Sequence, residues 1–506
     1  MAEVTPAMLL SSMIWFEIGY KQAYDDQEPE NTAWVAPPPT KSSLTTKADI
    51  ILENLEGYIV KTSSGPVLGH VHEDTPNIRR FYDIPYGSFS ESDPFQEPIP
   101  AVPWEKVHNA SEHKSRCPQI DYSNKISVDI NCLTLNIMTP TEATNAGVLF
   151  HIHDGSSNYG SGDPSIYGPE YIVPKGIILV LPNYRLGALG FLCLQNATIP
   201  GNAALKDLTL ALKWVKHNIA AFGGNPSNIV VSGESNAGIL AGYLTISPKS
   251  RDYISKVIVE SGFILSPYAL DRDPITTANN VFKKIKDPIA PDTSKHNKLN
   301  NFTIVHFVEA ARNTKFAPCV ETGNDSFIAK TPWSLLNNLK TNISYMIGSA
   351  NHAGLQDALK HTEATLSELD KDFSAILPID LKINDDNKKS EIGEKLKIMY
   401  FGDRRVELNT VDLLSFCYTD LLYLGPMIRA ARPIVASGAS VFFYEFAFKG
   451  DLNKEVVSPV KINGASRGDI ARYIFYQDGN ITDADSKETD TIEIVTELLK
   501  NFIETG

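Results

Sequence analysis

Ser235 lies in the stretch Ile229-Val230-Val231-Ser232-Gly233-Glu234-Ser235-Asn236-Ala237-Gly238. The apolar residues before it read as a strand and those after it as a helix, so the hydroxyl stands on a sharp turn. Gly233, Ala237 and Gly238 are small enough to let strand and helix approach closely, although Ala237 occupies a place where the motif Gly-x-Ser-x-Gly has glycine. A serine hydroxyl is a poor nucleophile until a base takes its proton. Ester hydrolysis by such a serine therefore needs a histidine base, an acid that orients it, and N–H donors for the oxyanion. Small residues also mark ordinary strand-to-helix turns, so the stretch by itself is a weak signal.

The elements that would position such a site are legible from about residue 55 onward. "GYIVKTSSGPVLGHV" alternates apolar residues across a Ser-Ser-Gly-Pro turn, which predicts a hairpin. "CLTLNIM", "AGVLFHIH", "GIILVLPNYRLG", "NIVVSGES", "KVIVESG", "SYMIGSA" and "SVFFYEFAF" are short apolar runs bounded by Gly, Pro or Asn. Such runs suit strands buried between helix layers. Helical stretches separate them, among them "LKDLTLALKWVKHNIAAF", stopped by Gly223-Gly224. Strand and helix in alternation predict an α/β class with a mostly parallel sheet. Residues 270–340 and 355–415 are polar and helical, and are expected to form a cap over the sheet's C-terminal edge, where ligands bind in open α/β sheets.

Beyond these patterns, "NYRLGALGF", "GNAALKDLTLALKWVKHNIAAFGGNPSNIVVSGES", "YLTISPKS", "CLTLNI" and "FFYEFAF" closely resemble the type B carboxylesterase and cholinesterase family. The resemblance covers about residues 55–505. It implies an α/β-hydrolase fold in one large domain, 51–506, shortened at its C-terminus and preceded by a poorly ordered tail, 1–50. It implies a Cys117–Cys132 disulfide, leaving Cys193, Cys319 and Cys417 as free thiols. It also implies where each part of the catalytic machine should stand.

Carried over position by position, the nucleophile is present as Ser235. The oxyanion donors fall on Gly155, Ser156 and Asn236. Ser156 replaces glycine in "HDGSS", and Asn236 adds bulk where the family usually has alanine. Losing one such donor costs about 10²–10³ in rate. The acid position, in "GSANHAGL", holds Ala353, which can neither accept a hydrogen bond nor carry charge. The base position, in "NGASRGDIARYIF", holds Arg467, and arginine keeps its proton at physiological pH. The last histidine in the chain is His361, so no other base follows. His352, beside Ala353, is the one conceivable substitute; a packing role is its bland reading.

Loss of base and acid together resembles the non-catalytic members of the family, such as neurotactin and the neuroligins, which use the hydrolase body for recognition. A weak or atypical esterase using Ser235 is the alternative. Arg467 is expected to pair with Glu234 rather than stay an unpaired buried charge; its null partners are solvent and Asp469. One family ion pair is replaced by Pro94 and Ile130, while another is kept as Arg185 and Asp207. The chain ends at "NFIETG", earlier than most members, so the final elements often used for dimer contacts are expected to be missing.

The chain has 506 residues, 42% hydrophobic, and a formal net charge of −14. That charge argues against nucleic acid and anionic membranes as partners, leaving a protein or a small apolar ligand in the gorge. No apolar run approaches the length of a membrane helix. No two of the five cysteines form a CxxC pair, so neither zinc nor dithiol chemistry is expected, and no cofactor motif is present. Asn109, Asn196, Asn301, Asn324, Asn342 and Asn480 begin glycosylation sequons. Sequons and a disulfide argue for the secretory pathway. Against it, the leader-like core Met8–Phe16 is preceded by Glu3 and cut short by Glu17, which keeps a cytoplasmic location as the alternative.

Overall fold

The computed structural model describes residues 58–121, 123–155, 157–285, 303–477 and 486–506; the tail and leader readings, Ser156, Asn301 and Asn480 lie outside them. The predicted hairpin forms as β1 (Ile59–Thr62) and β2 (Gly65–Leu68), paired antiparallel. Behind it stands a nine-stranded sheet. Its strands are β3 (His70–His72), β4 (Thr75–Pro85), β5 (Thr134–Pro140), β6 (Ala146–Ile152), β7 (Ile178–Pro182), β8 (Gly224–Glu234), β9 (Lys256–Glu260), β10 (Ser344–Ala350) and β11 (Val441–Phe446). Their spatial order is β11-β10-β9-β8-β6-β7-β5-β4-β3. The six from β7 through β6 to β11 run parallel, and β3, β4 and β5 join them antiparallel.

Both faces of the parallel strands β6 to β10 are largely buried, which is why each read as an unbroken apolar run, whereas the edge strand β11 leaves Phe442 and Phe443 exposed. Val148 and Phe150 of β6 enter one apolar cluster and Leu149 the other; Val231 and Val230 of β8 divide the same way. Helix α1 (Ala203–Asn218), continued by a turn of tighter helix to Gly223, and α2 (Asn236–Ile246) cover the first face. The terminal helix α7 (Lys487–Thr505) covers the second, burying Val495, Leu499, Phe502 and Ile503. Its last carbonyls are held by cations and amides of the sheet: Lys256 Nζ and Asn228 Nδ2 donate to Ile503 O at 2.9 and 2.8 Å.

The excursions are helical as expected: α3 (Pro274–Lys284), α4 (Asp386–Phe401), α5 (Val411–Tyr418) and α6 (Gly425–Ala436). Residues 358–417 carry an apolar cluster of their own, including Leu366, Phe373, Phe401 and Leu414. The expectation that no segment reaches membrane-spanning length needs correction. The continuous helical run Leu408–Ala436, 29 residues, is long and apolar enough by composition. Cys417, Met427 and Ile434 on it are buried in the protein's own clusters, so its hydropathy already has a partner inside the fold.

Two disulfides form. Cys117–Cys132 matches the expectation. Cys193–Cys319 does not: these two were expected to be free thiols, and only Cys417 among the described residues is one. At a sequence separation of 126, nothing local relates the two; folding of the 270–340 excursion brings Cys319 onto the segment after Phe191. The kept ion pair is fully buried, with Arg185 Nε and Nη2 donating to Asp207 at 2.8 and 2.6 Å. Arg185 Nη1 also donates to the backbone carbonyl of Pro94 at 2.6 Å.

Candidate active site

Strand β8 delivers Ser235 onto the expected turn. Its backbone, at φ 55° and ψ −121°, lies outside the ordinary regions for a non-glycine residue, a strain of roughly 1–3 kcal/mol. The close approach of strand and helix is real: a Cβ on Gly233 would lie 2.5 Å from Ala237 C. Ser235 N donates to Glu260 O at 2.8 Å, tying the turn to the neighbouring strand end. The serine is 6% exposed.

On the other side, Gly155 starts a tight turn closed by Asn158 N and Tyr159 N, which donate to its carbonyl. A Cβ there would fall 1.6 Å from Tyr159 O, so only glycine fits. Among the described residues, neither the Gly155 N–H nor the Asn236 N–H is committed to a hydrogen bond. Ser156, the remaining donor candidate, is outside them.

The segments to which the resemblance carries the acid and base positions meet. His352 N donates to Ala465 O at 2.9 Å, and Asn351 Oδ1 accepts from Ala465 N at 2.8 Å. Ala353 is fully buried in the second apolar cluster. Arg467 does not pair with Glu234, and that expectation is corrected. Its Nη2 donates to Gln356 Oε1 at 2.9 Å, its Nη1 to the Tyr423 hydroxyl, and Asp357 Oδ2 lies 3.6 Å away. Tyr423 Oη in turn donates to Asp357 Oδ2 at 2.6 Å. The short helix Leu355–Ala358, just beyond the acid position, thus supplies two of the three partners, Gln356 and Asp357, leaving the guanidinium charge compensated without Glu234. Asp469, the other carboxylate weighed for Arg467, is instead occupied by Asn453, Ser466 and the Lys454 amide.

No histidine among the described residues hydrogen-bonds Ser235. His352, the conceivable substitute, faces Ser415 Oγ at 3.0 Å, and burial lowers its pKa. His151 bonds Ser232 Oγ at 2.9 Å and His153 stacks on Tyr184; burial pushes both to about 3, so neither is protonated at neutral pH.

Sequence reasoning missed a pair of carboxyls beneath the turn. Glu234 and Glu260 are register partners at the ends of β8 and β9. Burial raises Glu234 to about 7, opposed mainly by Lys454, whose Nζ faces Gly468 as Glu234 Oε2 does. Burial, then repulsion from Glu234, raises Glu260 to about 8. Glu260 Oε1 accepts from Ala350 N at 3.0 Å and from the Ser261 hydroxyl, while Oε2 of both acids is buried without a partner. The signal was present: both strands end in Glu-Ser.

The sequence model of the carboxylesterase family matches residues 56–506. Esterase FE4 of Myzus persicae is 29% identical over 488 residues, covering 88% of this chain and 84% of that protein. Venom carboxylesterase-6 of Apis mellifera is 27% identical over 433 residues, 80% of this chain and 75% of that one. The crystal structure of juvenile hormone esterase from Manduca sexta, with OTFP covalently attached, superposes with a TM-score of 0.76 at 24% identity. It covers 88% of this chain and 90% of that one, and shows the fold to be that of an α/β hydrolase.

Proposed function

Because this chain belongs to the carboxylesterase family, we propose that it keeps the family's body for binding and recognition and has given up ester turnover. What supports the reading is the set of partners of Arg467, the residue the family resemblance puts at the base position: it is tied to Gln356, Tyr423 and Asp357, and the resemblance puts Ala353 at the acid position. A guanidinium cannot accept the serine proton. The test is hydrolysis of a chromogenic short-chain ester by wild type, Ser235→Ala and the double variant Arg467→His/Ala353→Glu. Wild type should run no faster than Ser235→Ala, and the double variant should gain turnover that Ser235→Ala removes. Brisk wild-type turnover abolished by Ser235→Ala overturns the reading.

A weak esterase is the second reading, favoured by the strained turn that still presents Ser235. Stoichiometric organophosphate labelling of Ser235 supports it; no labelling supports the binder. Two disulfides support residence in the secretory pathway, where disulfides persist, and the venom carboxylesterase among the relatives points the same way.

A further inference from the structure

A surface cleft of about 160 Å³ is lined by residues neighbouring Ala353 and Arg467, Leu355, Gly464 and Ser466 among them. That is the scale of cavities that take a benzene-sized group. Leu355, Val456, Val460 and Ile462 give it apolar walls, and Lys449 and Lys461 line it with them. Both lysines are exposed, and among the described residues neither has a carboxylate partner. The carboxylate that also borders the cleft, Asp469, is already spoken for. Its Oδ2 accepts from Asn453 Nδ2, Ser466 N and Ser466 Oγ, and its Oδ1 from Lys454 N. Two uncompensated ammonium groups beside an apolar wall stand out on a chain of net charge −14, whose general field repels anions.

We propose that this cleft binds a small amphiphilic anion: a carboxylate or phosphate monoester head against Lys449 and Lys461, with a short alkyl body along Leu355, Val456, Val460 and Ile462. The site is separate from the Ser235 turn and does not depend on whether that turn is catalytic. Its occupancy would be felt there nonetheless, because Leu355 adjoins the Gln356 and Asp357 that hold Arg467, and Ser466 adjoins Arg467 itself.

Calorimetric titration of the full chain with octanoate, octyl phosphate and octanol tests this. Saturable binding of octanoate or octyl phosphate is expected, and the tighter of the two identifies the head group. Octanol should bind far more weakly. Lys449→Gln/Lys461→Gln should weaken the anion about tenfold, added salt should weaken it in wild type, and Ser235→Ala should leave it unchanged. Because both lysines are exposed, the double variant leaves the core intact, and an unchanged thermal midpoint verifies that. Affinity equal in wild type and the lysine variant, octanol binding as tightly as octanoate, absence of saturable binding, or loss of binding in Ser235→Ala each overturns the proposal.

Discussion

Glu234 and Glu260 stand side by side at the ends of two parallel strands, each with one oxygen buried and unpartnered. Water would stabilise their charges; the sheet and α7 exclude it, so both hold protons to higher pH than an exposed carboxyl does. The charged groups around Glu234 are Lys454, Asp154, Asp469 and Arg467; Glu260 faces Glu234 and Arg467. Folded pKa values of about 7 and about 8 lie above those of the unfolded chain. The folded state therefore binds more protons between about pH 4.5 and those values, and stability falls as pH rises through that window. Glu260→Gln keeps an acceptor for the Ala350 amide and removes the proton. Its thermal midpoint should fall less than that of wild type between about pH 5.5 and about pH 8.5. Parallel falls in the two proteins would show that the pair does not set the slope. That Arg467 and Ala353 cannot accept a proton was legible at this scale, because residue identity alone decides it. Arg467's partner was not, because Glu234 and Asp357 were both within plausible reach along the loops.

At the scale of elements, strand and helix order was legible because apolar runs and helical spacing alternate. The same patterns said nothing of which cysteines meet. Cys193 follows the Gly187–Phe191 turn, and Cys319 lies in the excursion after β9. Their pairing closes a loop far longer than that of Cys117–Cys132, and cross-links of long loops remove the most freedom from the unfolded chain. Cys193→Ser/Cys319→Ser should lower unfolding stability by about 2–4 kcal/mol, read from denaturant midpoints. Denatured, unreduced wild type should titrate as a single thiol, that of Cys417. Three thiols per chain would remove both the bridge and its support for export.

At the scale of the whole molecule, α7 closes the second face of the sheet, where Ile503 packs over Gly147 so tightly that a Cβ on that glycine would lie 2.4 Å from it. Phe502, 4% exposed, meets Phe442 of β11 edge-on at 5.7 Å. Phe502→Ala should cost about 3–5 kcal/mol and lower the unfolding midpoint accordingly. A shift near zero would mean that the helix is not part of the cooperative unit.

The sequence by itself determined the family, the α/β class with a mostly parallel sheet, the turn at Ser235 and which residue types stand at positions 353 and 467. Each of these depends on side-chain type or on spacing along the chain. The tertiary structure decided which distant residues became neighbours: Arg467 with Gln356, Asp357 and Tyr423, Cys193 with Cys319, Glu234 with Glu260. Those choices follow from strand register and from how the excursions pack, and burial then fixes which charges are compensated and which protons are kept.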